Sequence, residues 1–304
     1  MSDDAHWPDL PYAAWSGTSE TLQLWMQIAG KVVLELTPLV NHWWNVTFHL
    51  TARGMAKRAI PYRGGVFDIV FDFVDHRVEI QSSDGRTESL PLKPMAVADF
   101  YDEFMQRLER LGIDAHIWTT PCEIEDSIVF DQDRTHAQYD AEYVTRFHQA
   151  LIRSARIMGD FRSRFVGKVS PVHFFWGSFD LAVTRFSGRT APPPKGVTPN
   201  VAPWVMAEAY SRECSSCGFW PGNGGFGHPA YYVYAYPEPE GYGHQRLNIG
   251  EASYNKDVGQ FILPYDAVRE ARHPDALLSD FLQETYAAAA DLAKWDRAAL
   301  ERRA

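Results

Sequence analysis

The hydrophobic and polar positions along this chain recur in two periods, and each period predicts a different element. Apolar residues at helical spacing, such as Leu22, Trp25 and Met26, predict helices that bury one face. Strict alternation of apolar and polar residues, as between Phe67 and Phe73, predicts half-buried strands. The predicted helices span residues 18–28, 97–111, 140–164, 205–212 and 276–295, and the predicted strands include 31–36, 66–74, 77–81, 87–92, 231–236 and 259–263.

Glycine, proline and short polar residues mark the turns between these elements. Gly30 is expected to end the first helix, and the pairs Asp75-His76 and Asp84-Gly85 predict tight hairpin turns. The proline-rich stretch 189–203 predicts a loop, and the glycine-rich stretch 218–227 predicts a flap. The flap would place Trp220 over a pocket as an apolar contact.

One pattern occurs twice, as His42–Leu50 and again as His173–Leu181. Both read His, two aromatic residues, two variable positions, a small hydroxyl residue, Phe, a polar residue and Leu, with an offset of 173 − 42 = 131. Each copy follows a predicted helix and leads into predicted strands and a further helix. The fold class indicated is therefore α+β with an internal duplication: two helix–antiparallel sheet–helix repeats packed as a pseudo-dimer, with His42 equivalent to His173.

The duplication also predicts the domain organisation. Residues 1–120 would hold an N-terminal arm and the first repeat, residues 121–139 an acidic connection, and residues 140–304 the second repeat with inserted Pro- and Gly-rich loops. Both repeats carry faces rich in tryptophan that need covering, so we expect one shared core.

The composition and charge of the chain limit the kinds of partner that we expect it to bind. The 304 residues carry a formal net charge of −10, which disfavours nucleic acid and anionic membrane surfaces. No apolar stretch approaches the ~20 residues that a membrane helix needs. The opening Met1-Ser2-Asp3-Asp4 predicts no secretory signal, and three cysteines form no disulfide framework. We therefore expect a cytoplasmic protein, either a monomer or a homodimer, whose partner is a small molecule.

The two motif strands supply the candidate site residues. Alternation places polar residues of each motif on one face, where His49 of the first copy and Asp180 of the second would occupy equivalent places. A histidine oriented by a carboxylate is a general-base arrangement. A solvated outer face of each strand explains the same pattern. The remaining candidates are ligand-binding residues: Asn45, Thr47, Arg53, Trp176, Ser178, Arg185 and Trp220.

Other groups that could hold a metal or a cofactor give weaker signals. Cys214 and Cys217 form a lone C-x-x-C pair, which without a second pair is typical of packing rather than zinc. His42 and His173 occupy equivalent positions in the two copies of the motif. They are either core histidines or metal ligands, one from each repeat. We predict no metal site, and no dinucleotide or phosphate-loop fingerprint identifies a cofactor.

Several longer stretches resemble a family of uncharacterised bacterial proteins, one of the families of unknown function, over nearly the whole chain. The resemblance implies a soluble bacterial protein and carries over no activity and no catalytic residue. The stretches that carry it are 41–44, 51–54, 71–77, 170–189, 218–222 and 286–298.

Three functional hypotheses follow from the residues. Aromatic residues make up 14% of the chain, including 10 Trp, which suits a cavity between the repeats that binds a small, partly aromatic or apolar ligand. A hydrolase- or isomerase-like enzyme that uses the His49–Asp180 pair is the alternative. A structural or interaction protein without a small ligand is the third.

Overall fold

The computed structural model describes residues 7–223 and 225–302; the acidic opening Met1–Asp4 and Gly224 lie outside the described residues. The described chain folds as α+β, with helices packed on two antiparallel sheets. The helices are α1 (Tyr12–Leu36), α2 (Val97–Arg110), α3 (Ala141–Ser163), α4 (Pro203–Ala209), α5 (Tyr265–Arg269), α6 (Pro274–Leu292) and α7 (Arg297–Leu300). The strands are β1 (His49–Thr51), β2 (Gly54–Tyr62), β3 (Gly65–Asp72), β4 (Arg77–Ser82), β5 (Thr87–Pro91), β6 (His173–Phe175), β7 (Asp180–Thr190), β8 (Arg212–Trp220), β9 (Ala230–Tyr236), β10 (Ser253–Asn255) and β11 (Gln260–Pro264).

The first sheet is a five-stranded meander in the order β1-β2-β3-β4-β5. The alternating residues Phe67, Ile69 and Phe71 of β3 are buried, as the period of two predicts. Both predicted hairpin turns are present. His76, between β3 and β4, and Gly85, between β4 and β5, take the positive φ angles that such tight turns require.

The second sheet has six strands in the order β10-β11-β9-β8-β7-β6. Its centre is formed by β7, β8 and β9, which pair antiparallel with Ala182 opposite Gly218 and Gly218 opposite Tyr232. One face of these strands carries apolar residues such as Leu181 and Val233, which pack in the core against α3 and α6.

The two sheets meet where the two motifs meet. Phe48, just before β1, and Phe174 of β6 form an antiparallel bridge in which each backbone N–H donates to the other residue's carbonyl, at 3.0 and 2.8 Å. Both rings are fully buried. The bridge places one edge of the first sheet beside one edge of the second. One hydrophobic core lies beneath both sheets.

Helices from both halves fill that core. Trp25 of α1 stacks on Phe100 of α2 with ring centroids 4.8 Å apart, and Trp15 of α1 packs on Phe147 of α3 at 5.2 Å. Phe147 in turn stacks on Phe179, at the end of the second motif. The packing therefore passes from one half to the other without a polar boundary.

The predicted strand at residues 31–36 is wrong, because α1 continues through it to Leu36. Gly30 does not end the helix. A Cβ at Gly30 would collide with the ring of Trp176, so this glycine allows the second motif to pack directly on α1. Lys31, buried in the same helix, donates to the carbonyls of Trp118 and Thr120 at 2.9 and 2.6 Å.

The order helix–antiparallel sheet–helix occurs in both halves, but the duplication at an offset of 131 is not confirmed. The first motif begins as a 3-10 turn at Asn41–Trp43, where His42 and Trp43 have positive φ angles of 58 and 60°. The second motif begins as strand β6, which contains His173. His42 and His173 therefore stand in different local structures.

A second layer covers the face of β7–β9 that points away from α3 and α6. Helix α4 packs on the 3-10 turn, and Trp43 donates its indole N–H to the carbonyl of Val205 at 2.9 Å. The connection joins this layer, because the backbone N–H of Glu123 donates to the carbonyl of Pro199 at 2.8 Å. Among the described residues, no helix is both long and apolar enough to cross a membrane.

The shared core yields a prediction about fragments. Residues 1–120, expressed alone, would expose the faces of α1 and β1 that α3 and β6 cover in the whole chain, so the fragment should be insoluble or lack a cooperative transition. Thermal denaturation followed by circular dichroism, with the full chain as control, measures this. A soluble fragment with a sharp melting transition would contradict a shared core.

Candidate functional site

The outward face of β7–β9 carries a buried carboxylate with two hydroxyl partners. Asp180, the first residue of β7, is 6% exposed and accepts hydrogen bonds from the Ser178 and Tyr232 hydroxyls. Burial raises the pKa of the Asp180 carboxyl, and the two hydroxyl donors oppose that shift. The two donors explain how a carboxyl group is tolerated beside the core.

Glycine at position 218 makes the Asp180–Tyr232 contact possible. Tyr232 lies on β9 and Asp180 on β7, so the phenol must cross the intervening strand β8. It crosses above Gly218, where a Cβ would collide with the phenol oxygen of Tyr232 and the carbonyl of Leu181. A larger residue at this point would separate the two strands' functional groups.

A second polar row lies beside the first along the same strands. Thr184 of β7 and Ser216 of β8 share a hydrogen bond of 2.8 Å, and Tyr234 of β9 lies 3.1 Å, oxygen to oxygen, from Tyr210, which follows α4. The rings of Tyr232 and Tyr234 stack with centroids 6.0 Å apart. Burial raises the pKa of both tyrosines well above its usual value, so both stay protonated at neutral pH.

The connection brings a second carboxyl group to this face. Helix α1 fixes Cys122 through Gln27, whose side chain donates to the Cys122 carbonyl and accepts from its N–H at 3.0 and 2.9 Å. The next residue, Glu123, has a positive φ of 61° and directs its carboxyl group against Gly177, beside the Ser178–Asp180 pair.

Glu123 is the second acid of this face. Desolvation by the surrounding protein, followed by the charge of Asp180, raises its pKa from 4.5 to about 7. Burial raises the pKa of Tyr210 to about 12, and the charges of Glu123 and Asp180 add to that shift. We call this group of residues the acid–tyrosine cluster: Glu123, Ser178, Asp180, Tyr210, Tyr232 and Tyr234.

The structure places His49 apart from this cluster. His49 lies on β1, and its nearest aromatic contact is the ring of His173, with centroids 6.2 Å apart. The bridge at Phe48 and Phe174 sets His49 two strands from β7, a lateral separation of roughly 10 Å at the usual strand spacing. Of the predicted pair, only Asp180 belongs to the acid–tyrosine cluster.

Three other predicted site residues hold the first motif in place. Asn45 accepts from the backbone N–H of Val40 and donates to the Thr37 hydroxyl, at 3.1 and 3.0 Å. Thr47 lies 3.1 Å from His173 Nδ1, and the Trp176 indole donates to the Val46 carbonyl at 3.0 Å. These contacts join the first motif to the residues just before it and to the second motif.

The two predicted arginines also have partners of their own. Arg53 forms ion pairs with Asp72 at 2.6 Å and Asp75 at 2.8 Å. Arg185 is fully buried on the core face, with its guanidinium carbon 3.5 Å from the ring centroid of Phe161 and 4.2 Å from that of Tyr286. Strict alternation predicts this opposite face for Arg185.

The glycine-rich stretch differs from the sequence prediction, whereas the cysteine pair is packed in the structure as the sequence predicts. Strand β8 continues to Trp220, so residues 218–220 are strand rather than flap, and the Trp220 ring stacks on Phe226 at 5.4 Å. Cys214 and Cys217 are both buried in β8. Their spacing of three in a strand sends the two thiols to opposite faces, which excludes a shared metal or a disulfide between them in this conformation.

Comparison with known protein families gives a match over nearly the whole chain. The family model described as a family of unknown function, DUF5996, matches residues 7–302. The chain belongs to this family. No curated protein and no solved structure matches it. DUF5996 membership agrees with the resemblance seen in the sequence and leaves the function to be argued from the site. No group of three or more His, Cys, Asp or Glu side chains in the described part of this DUF5996 chain is placed to hold a metal ion.

Sequence reasoning missed Glu123, Tyr210, Tyr232 and Tyr234 as site residues. The alternation of Tyr232, Tyr234 and Tyr236 was visible as a shared face of one strand, and that face is where the cluster forms. Glu123 gave no such signal, because it lies in an irregular segment that is held through Cys122 by Gln27, 95 residues before Cys122 in the chain.

Replacing Gly218 should disrupt the cluster. We expect Gly218→Ala to displace Tyr232 from Asp180, which leaves a buried carboxyl with one donor fewer and should lower the free energy of unfolding by about 1–3 kcal/mol. Urea denaturation measures the change. Gly196→Ala, in a loop where a Cβ meets no atom within 4 Å, is the matched control and should be nearly neutral. Equal stability of both variants would show that Tyr232 does not need the space above Gly218.

The raised pKa of Glu123 predicts a pH effect. Because the folded-state pKa lies above the unfolded value, the stability that Glu123 contributes is fully present below pH 4.5 and is lost as the pH rises through about 7. Glu123→Gln should therefore stabilise the protein at pH 8 relative to pH 4.5, when compared with the wild type. Melting temperatures across this range test it, with Glu125→Gln, at an exposed glutamate, as control. Parallel curves for wild type and Glu123→Gln would contradict the desolvation of Glu123.

Proposed function

We propose that this protein binds a small molecule in a recess lined by the acid–tyrosine cluster. The carrying observation is the meeting of two acids on one face of the second sheet. The Glu123 carboxyl group lies against Gly177, and the next residue, Ser178, donates its hydroxyl hydrogen to Asp180. Tyr232, which also donates to Asp180, adds an aromatic surface to the same place.

The chemistry of the lining indicates the kind of ligand. Glu123 and Asp180 are close enough for the charge of Asp180 to raise the pKa of Glu123. Two neighbouring carboxyl groups are stabilised by a cation between them, since a positive charge offsets their repulsion. Beside them stand the rings of Tyr210, Tyr232 and Tyr234, which offer aromatic surface and a cation–π face. The ligand that fits is a small amine with an apolar or aromatic portion.

The recess would draw on both halves of the chain, as a pseudo-dimer requires. Asp180 and the tyrosines come from the second sheet, whereas Glu123 is fixed by Gln27 of α1. We infer that the halves arose by duplication, because the motif His42–Leu50 recurs as His173–Leu181 at an offset of 131. The bridge joins Phe48 to Phe174 rather than to Phe179, the motif-equivalent residue, and brings the two copies into contact.

The alternative is an enzyme that uses His49 with Asp180 as a general base. It has less support, because His49 lies two strands from β7, which carries Asp180. Desolvation also lowers the pKa of His49, whose ring lies next to His173 rather than next to an acid. A catalytic role for the acid–tyrosine cluster itself would appear as chemical change of the bound amine during incubation.

Binding is testable with a matched pair of probes, 2-phenylethylamine and the neutral 2-phenylethanol. At pH 8 the amine should raise the melting temperature and the alcohol should do so far less, since only the amine meets Glu123 and Asp180. A ligand at 100 times its Kd stabilises by about 2.7 kcal/mol. Lowering the pH from 8 to 6 should weaken amine binding as Glu123 becomes protonated.

Variants locate the binding. Asp180→Asn and Glu123→Gln should each reduce the amine-induced shift, and Glu125→Gln, outside the acid–tyrosine cluster, should not. Isothermal titration calorimetry on the same proteins gives the affinities. Equal shifts by amine and alcohol, or an unchanged shift in Asp180→Asn, would contradict an acidic amine site.

A further inference from the structure

A lysine and a histidine make direct contact beside β7, toward the opposite end of that strand from Asp180. The Lys168 Nζ lies 2.7 Å from Nε2 of His42. Lys168 pairs through its backbone carbonyl with the N–H of Phe186, six residues along β7 from Asp180. The pair therefore forms a separate cluster on the same outward face of the sheet.

The surroundings of His42 fix which ring nitrogen is free. Its Nδ1 lies 2.8 Å from the carbonyl oxygen of Ala209, which can only accept, so Nδ1 carries the proton. Burial lowers the pKa of His42 and keeps the ring neutral at pH 7. Nε2 then has a free lone pair and accepts from the Lys168 ammonium. A positive φ of 58° holds His42 in the left-handed region, a strained placement for a residue with a side chain.

Lys168 is accessible in spite of these contacts. Its side chain is exposed, and its Nζ lies 5.3 Å from the ring centroid of Trp44 and 4.9 Å from that of Phe186. Desolvation by these neighbours lowers the pKa of Lys168; the charge of Arg212 adds to that shift and the charge of Glu208 opposes it. The partner of the ammonium is thus a neutral base rather than a carboxylate.

Arg212 gives this cluster a possible anchor for an anion. It is the first residue of β8, two residues before Cys214, which pairs with Phe186 of β7, so Arg212 and Phe186 share the outward face of the sheet. Its charge also adds to the lowering of the pKa of His42 and Lys168 by burial. A guanidinium on the same face as an accessible amine suits the carboxylate of a small ligand, which arginine binds with two parallel hydrogen bonds.

We propose that Lys168, His42 and Arg212 form a second site, at which Lys168 condenses with the carbonyl group of a small aldehyde or 2-oxo acid to form an imine. His42 takes a proton from the Lys168 ammonium, and the free amine forms a C–N bond to the carbonyl carbon as the C=O π bond breaks. The nitrogen passes one of its two protons to the oxygen, which gives a neutral carbinolamine. His42 then delivers its proton to the hydroxyl oxygen as the C–O bond breaks and water leaves. The ammonium and the carbonyl compound become a protonated imine and one water, with no change of oxidation state.

Reductive trapping tests the proposal in the full-length protein. Glyoxylate and sodium cyanoborohydride are added at pH 7, and peptide mass spectrometry measures the labelled fraction at each lysine. Lys195 and Lys256, both exposed, serve as internal references in the same sample. Lys168 should be labelled several-fold faster than either reference. Equal labelling of the three lysines would overturn the site, whatever the outcome of the amine-binding experiment.

Two substitutions separate the roles. His42→Asn, which keeps a residue that tolerates a positive φ, should reduce labelling of Lys168 to the level of the references. Arg212→Gln should slow labelling by glyoxylate while leaving labelling by acetaldehyde, which has no carboxylate, unchanged. Thermal denaturation verifies that each variant is folded. Undiminished labelling in folded His42→Asn would exclude the histidine as proton acceptor, and equal loss with both aldehydes in Arg212→Gln would exclude the carboxylate contact.

Discussion

The exchange of backbone hydrogen bonds between Phe48 and Phe174 determines how the rest of the structure is arranged. Each of these residues lies at the edge of its own sheet, and an open edge carries unpaired N–H and C=O groups. Pairing the two edges satisfies both and aligns the sheets, so that helices from both halves cover one core. It also sets the register of β6 against β1, and hence which residues of the second motif share a face with those of the first.

Within that frame, the outward face of β7–β9 is shaped by the need to accommodate a buried acid. A carboxyl group out of water is tolerated only when hydrogen-bond donors replace the lost solvent. Ser178 supplies one donor from the adjoining turn, and Tyr232 supplies the other across β8. The crossing works because Gly218 has no side chain. The absence of a side chain at Gly218 therefore allows a hydrogen bond between residues of two strands that are not neighbours.

Much of the secondary structure follows from local pattern, whereas the site depends on contacts between distant residues. Alternation identified β3 and β9, and helical spacing identified α2 and α3, because each buries one face of a regular element. The extension of α1 beyond Gly30 could not be foreseen, since it depends on Trp176 packing there. Asp180 was found because it lies in a regular strand. Glu123 was not found. It lies in an irregular segment that a distant helix holds in place, and such a segment shows no periodic pattern of hydrophobic residues.

Helix α1 connects the fold to the acid–tyrosine cluster. Gln23 donates to the carbonyl of Gly177 at 2.7 Å, and Gln27, one helical turn later, brackets the backbone of Cys122. The residue after each of these clamped positions belongs to the cluster: Ser178 in one case and Glu123 in the other. Because residues i and i+4 lie on the same face of a helix, a shift of α1 would move both chain segments together. The separation between the two carboxyl groups is thus governed by how α1 packs in the shared core.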